Sequence, residues 1–218
     1  IKNLLMTKYY TPTDVSIHSS ETDLWVSFLG SVYDLTLLCS LHKGDILLKP
    51  ILAAAGTDIS HWFDPKTGDL KTYIDPISKC RMPYTPSGRF IHVPPPYPTT
   101  DWRNDFGTPW WFEKSYCIGK LTKKPRIIRI VNTLALVEHE IEVCYEETLL
   151  EIMSRYLKCN RHAASYTWKF KGQVLEMDKT LAENGIPDED VELEEILLNT
   201  DDFIPEIFLY YNDDLTEA

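Results

Sequence analysis

The sequence lacks the features that mark several common classes of protein. None of its apolar runs, over 218 residues, is long enough to span a bilayer, so we expect no membrane association. The five cysteines are odd in number and form no Cys-x-x-Cys pair, which favours a reducing compartment over a disulfide framework. No secretory signal is visible after the first residue, Ile1.

Sequence fingerprints of catalysis are also missing. The chain contains no Gly-x-Gly-x-x-Gly motif for a nicotinamide or flavin cofactor and no Gly-x-Ser-x-Gly motif for nucleophilic hydrolysis. Cysteine and histidine do not occur at the spacings of a zinc site. We therefore expect no enzyme, no catalytic residues and no small-molecule substrate.

Positive charge is scarce in the second part of the chain. Residues 1–122 hold 12 Lys and Arg against 12 Asp and Glu, whereas residues 123–218 hold 10 against 21, which is the whole net charge of −11. Because a protein must neutralise phosphates to bind nucleic acid, that partner is excluded. The asymmetry also predicts two domains with separate surfaces.

Prolines and aromatic residues are concentrated between these two parts. Nine of the 14 prolines fall within residues 76–125, and such density excludes a continuous helix or a central strand. The same segment is rich in tryptophan and tyrosine, whereas flexible linkers are poor in aromatic residues. We interpret it as an extended connector laid on a surface. It either packs across the two domains or uses Trp110 and Trp111 to anchor a partner protein.

Short elements follow one another quickly in residues 8–75. Thr11-Pro12 predicts a helix start, residues 24–29 and 32–35 predict two strands joined by a turn at Gly30-Ser31, and two short helices follow. Pro50 interrupts the first of these helices, over residues 45–55, and Pro65 ends the second, over residues 58–63.

This order of elements resembles the cytochrome b5 family. The matching residues are Tyr10-Thr11, Trp25-Val26, the run Gly30-Ser31-Val32-Tyr33-Asp34-Leu35-Thr36, His42, Ala55-Gly56-Thr57-Asp58 and Phe63-Asp64. The resemblance implies haem b as the cofactor, held between two axial ligands, with His42 as one of them. The protein would then tune the iron through its ligands and their surroundings.

The chain departs from the family pattern at both ligands. The family motif His-Pro-Gly-Gly is His42-Lys43-Gly44-Asp45 here, and Gly68 occupies the place of the second histidine. We expect Tyr73 to be the second ligand, because an insertion after Asp64 would bring it into place and tyrosinate is a known haem ligand. His61 and His92 remain alternatives.

Residues 126–218 alternate between strand and helix patterns. Two strands are predicted over 126–136 and 138–143, an amphipathic helix over 149–157, and further strands over 166–170, at Val174-Leu175, around Val191 and Leu193, and over 207–211. The spacing from Phe170-Lys171-Gly172 to Gly185-Ile186 resembles the ubiquitin-like β-grasp fold. Since the chain ends in Leu215-Thr216-Glu217-Ala218 and not in Gly-Gly, we expect a non-conjugating module.

These patterns together predict an α+β protein of three parts. A small cytochrome b5-like haem-binding domain spans residues 8–75, a Pro- and Trp-rich connector spans 76–125, and a β-grasp domain spans 126–218.

Stretches outside the two cores, residues 61–67, 88–95 and 101–107, extend the resemblance to proteins that fuse a cytochrome b5-like domain to a ubiquitin-like one. That resemblance implies a cytoplasmic, cytoskeletal protein of the motile cilium axoneme, in the radial spoke stalk, with other radial spoke proteins as partners. It also implies haem binding and redox sensing in ciliary beating. A Tyr73 ligand would favour ferric iron, because an anionic oxygen stabilises the higher charge.

Two other functions remain open. In the first, the pocket is vestigial and the protein is purely a structural interaction module, as the altered motif at His42 and the missing second histidine would suggest. In the second, the protein is an electron-transfer haemoprotein, for which no flavin or nicotinamide fingerprint and no membrane tail is present.

Overall fold

The computed structural model describes residues 7–96 and 105–212, and the chain divides into two compact units between Leu121 and Thr122. In the part of the chain described, no helix is both long and apolar enough to cross a lipid bilayer. Tyr97 and Trp102 of the predicted connector lie outside the described residues, as does the chain end from residue 213 onwards.

The first unit contains seven strands and three α-helices in its described residues. The strands are β1 (Tyr9–Tyr10), β2 (Ser19–Ser20), β3 (Asp23–Phe28), β4 (Ser31–Asp34), β5 (Thr72–Ile74), β6 (Arg81–Pro83) and β7 (Cys117–Leu121). The helices are α1 (Pro12–Ser16), α2 (Thr36–Leu41) and α3 (Lys49–Ala53), with short 3-10 helices at Ile46–Leu48, Ser60–Trp62, Trp110–Phe112 and Lys114–Tyr116.

Local sequence signals explain the start of this unit. The Thr11 side chain accepts a hydrogen bond from the Asp14 amide while the Asp14 carboxylate accepts one from the Thr11 amide, and Pro12 occupies the first turn of α1. Strands β3 and β4 form a hairpin whose turn residues, Leu29 and Gly30, both have positive φ. Such a turn matches the right-handed twist of the two strands.

Strand β7, which lies in the segment predicted to be a connector, is part of the first sheet. The sheet order is β1-β7-β4-β3-β2, with β7 parallel to β1 and antiparallel to β4. Trp110 and Trp111 are 0 % and 5 % exposed and belong to the core of this unit. The described part of residues 76–121 is therefore an integral part of the first unit, unlike the predicted connector. Because both tryptophans are buried in their own unit, they are not available to anchor a partner.

The second unit contains five strands and two α-helices in its described residues. They are β8 (Pro125–Asn132), β9 (Val137–Cys144), α4 (Leu149–Tyr156), β10 (Tyr166–Phe170), β11 (Gln173–Val174), α5 (Asp190–Glu195) and β12 (Glu206–Tyr211).

The sheet of the second unit has the order β11-β10-β12-β8-β9. The last strand, β12, lies at the centre and runs parallel to β8, whereas the other neighbours are antiparallel. Helix α4 buries Leu149, Ile152 and Tyr156 in the core of this unit. A hairpin, a helix, a second hairpin and a central last strand make up the β-grasp topology, so the predicted α+β class is confirmed.

One element of the second unit was predicted wrongly. The strand expected around Val191 and Leu193 is helix α5. The alternation of two apolar residues is too short to distinguish the two periods. Asp190 and Glu192 in the first turn favour a helix, because acids stabilise the positive end of its dipole.

Candidate metal centre

His42 lies at the carboxyl end of helix α2, in a position fixed by the core. Its amide donates to the Leu38 carbonyl oxygen at 3.1 Å. Leu38 and Cys39 are the buried residues of this helix and anchor it to the core. Gly44 follows with φ of 86°, which favours glycine, and the Asp45 carboxylate accepts from the Leu47 amide at 2.9 Å. The altered motif therefore still forms a turn that holds His42 at the edge of a cleft.

His92 has an unusual backbone conformation, and two contacts hold its ring. Its φ is 68°, a left-handed value that few residues other than glycine adopt and that often marks a functional site. The Trp110 amide donates to its Nδ1 at 3.0 Å, and the Phe106 ring stacks on it with centroids 5.3 Å apart. Because Nδ1 accepts this hydrogen bond, the proton of the neutral ring lies on Nε2.

The two histidines face the same cleft. Their ring centroids are 6.0 Å apart, with the ring planes at 83°. The cleft has a volume of about 470 Å³. It is lined by His42, Asp45, Leu47, Arg89, Ile91, His92, Val93, Pro95, Asp105 and Phe106.

The residues of this cleft fit a haem. His42 and His92 both line the cleft with their ring centroids 6.0 Å apart, and these two imidazoles would be the residues to hold the iron of a haem. Burial, and to a smaller extent the neighbouring His42, lowers the pKa of His92, so the ring is neutral as a metal ligand must be. Apolar walls and one cation, Arg89, suit an apolar macrocycle that carries carboxylates.

The other two ligand candidates lie elsewhere. Tyr73 is in strand β5, opposite Met82 of β6, and is 44 % exposed. His61 is exposed on a 3-10 helix beside Trp62. Neither is among the described residues that line the cleft. The geometry thus favours His92 over the predicted Tyr73. The insertion after Asp64 folds into its own hairpin, and the chain does not return to the cleft until Arg89.

Sequence reasoning missed several parts of this site. Phe106, Arg89 and the Trp110 amide were not proposed as contributors, although all three contact or line the site. A signal was present in the run Phe90-Ile91-His92-Val93, whose apolar residues are all buried. A histidine between buried neighbours is held more rigidly than Tyr73 on an exposed hairpin. In the described part of the chain, no group of three or more His, Cys, Asp or Glu side chains is placed to hold a metal ion.

Comparison with known proteins identifies the family of the chain. The sequence model described as "Cytochrome b5-like Heme/Steroid binding domain" matches residues 11–122. The relative named "Cytochrome b5 domain-containing protein 1" in Xenopus laevis is 60 % identical over 210 residues, which cover 96 % of this chain and 97 % of the relative. The protein of the same name in Homo sapiens is 54 % identical, covering 96 % of this chain and 92 % of that relative.

Among solved structures, one titled "Caldiarchaeum Subterraneum Ubiquitin" covers 41 % of this chain and 96 % of its own, with 16 % identity and a TM-score of 0.31. The β-grasp fold of the second unit is identified by its sheet order and not by this likeness. The match to the cytochrome b5 model and the near-complete coverage of the relatives establish the family. The chain therefore belongs to the family of cytochrome b5 domain-containing protein 1.

Proposed function

We propose that this protein binds haem b between His42 and His92 and acts as a redox-responsive scaffold, not as an enzyme. The observation that carries the proposal is the placement of two imidazoles 6.0 Å apart across one cleft, despite the loss of the family's second histidine. Haem iron, when bound, supplies one-electron redox chemistry.

The side chains around the two ligands have separate tasks. Leu47, Ile91, Val93 and Phe106 give the cleft apolar walls, beside which electrostatic interactions are stronger than in bulk water. Arg89 is placed to attract the carboxylates of the macrocycle, whereas Asp45 and Asp105 add negative charge to the rim. This negative charge favours the more positive, ferric state of a bound iron.

The hydrogen bond to His92 indicates which nitrogen would hold iron. Nδ1 accepts from the Trp110 amide, so Nε2 is the nitrogen that would face the metal. A metal-binding histidine usually donates a proton from its second nitrogen, and Nδ1 of His92 faces a donor instead of an acceptor. Because Asp45 and Asp105 place negative charge at the cleft, we expect ferric haem to bind more tightly than ferrous haem, as for a Tyr73 ligand but through different residues.

The cellular role that we propose is a place in the radial spoke stalk of the motile cilium axoneme, within the cytoplasm and cytoskeleton, with other radial spoke proteins as partners. Its support is the whole-chain resemblance to fusions of a cytochrome b5-like and a ubiquitin-like domain.

The test is a titration of the purified full chain with ferric and with ferrous haem, followed by the Soret band. We expect a low-spin spectrum and tighter binding of ferric haem. The variants His42→Ala and His92→Asn should each weaken binding by roughly 100-fold or more, since even residues that only support a ligand contribute about 10–100-fold. Asparagine is chosen at position 92 because it tolerates the left-handed backbone.

Tyr73→Phe and His61→Ala are the matched controls and should bind haem as the unaltered protein does. A spectral change in Tyr73→Phe with none in His92→Asn would assign the second ligand to Tyr73. Equal affinity for both oxidation states would remove the redox response. No Soret shift in the unaltered chain would leave only the structural interaction module.

A further inference from the structure

The segment between strands β11 and β12 exposes large apolar side chains to solvent. Val191, Ile196, Leu197 and Phe203 are 60 %, 65 %, 92 % and 51 % exposed. All four lie within the fourteen residues from the start of helix α5 at Asp190 to the end of the 3-10 helix Thr200–Phe203. A concentration of apolar surface of this kind marks an interaction site more often than chance exposure does.

The backbone conformation and the exposure of Leu197 are both unfavourable for the protein alone. It follows the end of α5 with φ of 61°, its amide donates to the Glu194 carbonyl oxygen at 3.0 Å, and the next amide, of Leu198, donates to Leu193 at 2.9 Å. This helix ending normally uses glycine or asparagine, which adopt the left-handed conformation at lower cost. A leucine here is both strained and solvent-exposed, so its side chain is not explained by the stability of its own unit.

A groove lies beside this segment, within the second unit. It has a volume of about 430 Å³, and its apolar lining includes Phe170, Leu193, Phe203 and Phe208. Leu193 and Phe203 lie on either side of Leu197 in the sequence. The strained leucine therefore belongs to the loop that forms one wall of the groove.

Two basic side chains also line the groove, but both are engaged. The Arg126 guanidinium donates to the carbonyl oxygens of Ile186 and Pro187, at 3.2 and 2.6 Å. The Lys171 ammonium lies over the Phe170 ring, 5.1 Å from its centroid. Neither leaves an uncommitted cation on the groove floor.

The charge around the groove is negative. Residues 180–218 contain 13 Asp and Glu and no Lys or Arg. Two of the carboxylates that line the groove, Glu189 and Asp202, have no basic partner among the described residues. Anionic lipids and nucleic acids are repelled by such a surface, and a second copy of the chain would bring like charges together.

We propose that this groove, together with the exposed loop at Leu197, is a docking site for a basic amphipathic segment of a partner protein. Apolar side chains of the partner fill the groove and cover Leu197, while its Lys and Arg residues face Glu189 and Asp202. This mode is that of a helix or strand whose apolar face enters a groove with a rim of opposite charge. The inference is independent of haem binding in the first unit.

The experiment uses the full chain and a fluorescent synthetic helical peptide that has leucines on one face and lysines on the other. Binding is measured by fluorescence anisotropy at two salt concentrations. Two comparison peptides carry glutamate in place of lysine, or serine in place of leucine. We expect the leucine-lysine peptide alone to bind, and more weakly at high salt because the charges are screened.

Leu197→Gly should weaken binding by about tenfold, as the loss of a central apolar anchor does. Glycine suits the left-handed backbone, so this variant folds at least as well as the unaltered protein. The double variant Glu189→Gln/Asp202→Asn should weaken binding by about threefold at low salt and have less effect at high salt.

Leu136→Gly is the matched control, because Leu136 is also a leucine with positive φ, at 53°, and is 87 % exposed in a turn away from the groove. It should bind the peptide as the unaltered protein does. Equal binding to all variants, or no binding of the leucine-lysine peptide, would overturn the proposal. Self-association that Leu197→Gly abolishes would assign the surface to a second copy and overturn the basic partner.

Discussion

The two units of this chain achieve their structures in different ways. The second unit is a regular β-grasp sheet with a capped helix, and all five of its described strands come from one continuous stretch of the chain. The first unit depends on residues far from its family core: Phe90, Trp110 and Trp111 complete its interior, and β7 enters its sheet between β1 and β4.

This difference shows where a small fold tolerates change. In the first unit the residues that build the hairpin β3–β4 and the helix before His42 keep the family pattern, whereas the second ligand position does not. An insertion that carries its own hairpin, β5–β6, is followed by the run that presents His92. Because Ile91 and Val93, on either side of His92, belong to the core, the run that carries His92 is anchored by the same packing that preserves the fold.

The largest loss of stability in either unit is expected at its buried tryptophan. Trp110→Ala should lower the free energy of unfolding of the first unit by about 3–5 kcal/mol, because it removes a side chain that contacts Phe28, Phe63 and Phe90. Urea denaturation, with amide exchange in β3 and β10 to separate the units, measures the effect. Trp168→Ala should destabilise the second unit by a similar amount.

A milder substitution, phenylalanine for each tryptophan, distinguishes the surroundings of the two indole rings. The Trp168 Nε1 donates to the Ala163 carbonyl oxygen at 3.2 Å, whereas the buried Trp110 Nε1 has no hydrogen-bond partner within the described residues. Trp168→Phe should therefore cost about 1 kcal/mol more than Trp110→Phe. Equal costs would mean that the Trp110 indole has a hydrogen-bond partner after all.

The second unit has its own sensitive point, the ion pair between Arg155 and Glu147. Arg155 Nε lies 2.8 Å from both carboxylate oxygens of Glu147, whose side chain is 7 % exposed and also accepts from the Cys144 amide. Arg155→Met should cost about 3 kcal/mol at neutral pH, because it leaves a buried carboxylate without its cation. Thermal and urea denaturation check this value.

The pH dependence of that variant follows from the pKa of Glu147. Burial raises this pKa in the folded state, opposed by the Cys144 amide and by Arg155. Without Arg155 the folded state binds the proton more tightly than the unfolded state does, so stability should rise as pH falls from neutral through the raised pKa. The double variant Glu147→Gln/Arg155→Met should recover most of the loss at pH 7, and failure to do so would contradict the explanation.

Strand β7 offers a test of how tightly the first sheet is closed. A methyl group at Gly119 would collide with the Lys8 carbonyl oxygen and the Tyr10 ring. Gly119→Ala should cost about 2 kcal/mol and should weaken amide protection in β1 and β7. Lys120→Ala, on the exposed face of the same strand, should change stability by less than about 0.5 kcal/mol.

The smallest effect concerns a feature that both units share. Thr11 and Thr148 each cap a helix, and each side chain accepts a hydrogen bond from the backbone amide three residues later, that of Asp14 or of Glu151. Replacing either threonine by alanine should cost about 1 kcal/mol in its own unit. Thr13→Ala, on the exposed side of α1, should be nearly neutral, and a loss as large as that of Thr11→Ala would show that the cap is not the cause.

The elements that were predicted correctly from the sequence are those determined by residues close together in the chain. The two capped helices depend on contacts within a few positions and occur as expected, whereas the hairpin turn, expected at Gly30-Ser31, lies one residue earlier at Leu29-Gly30. Strand β7 was missed because its partners, β1 and β4, lie about a hundred residues earlier and no local pattern in a proline-rich segment indicates them. Tyr73 was expected in place of His92 for the same reason, since the position of His92 depends on how the whole insertion folds.

The separation of His42 and His92 along the chain has a mechanical consequence. They share one cleft, but about fifty residues, including the hairpin β5–β6, run between them, so an ion bonded to both would act as a reversible cross-link closing that loop. Ile51, Trp62 and Phe63 within that loop are buried and are held by the core without the ion, so its loss would return conformational freedom mainly to the exposed residues between Phe63 and Phe90. Occupancy of the proposed iron site would thus change the stiffness of the exposed hairpin, a signal that a neighbouring protein could detect without contacting the metal.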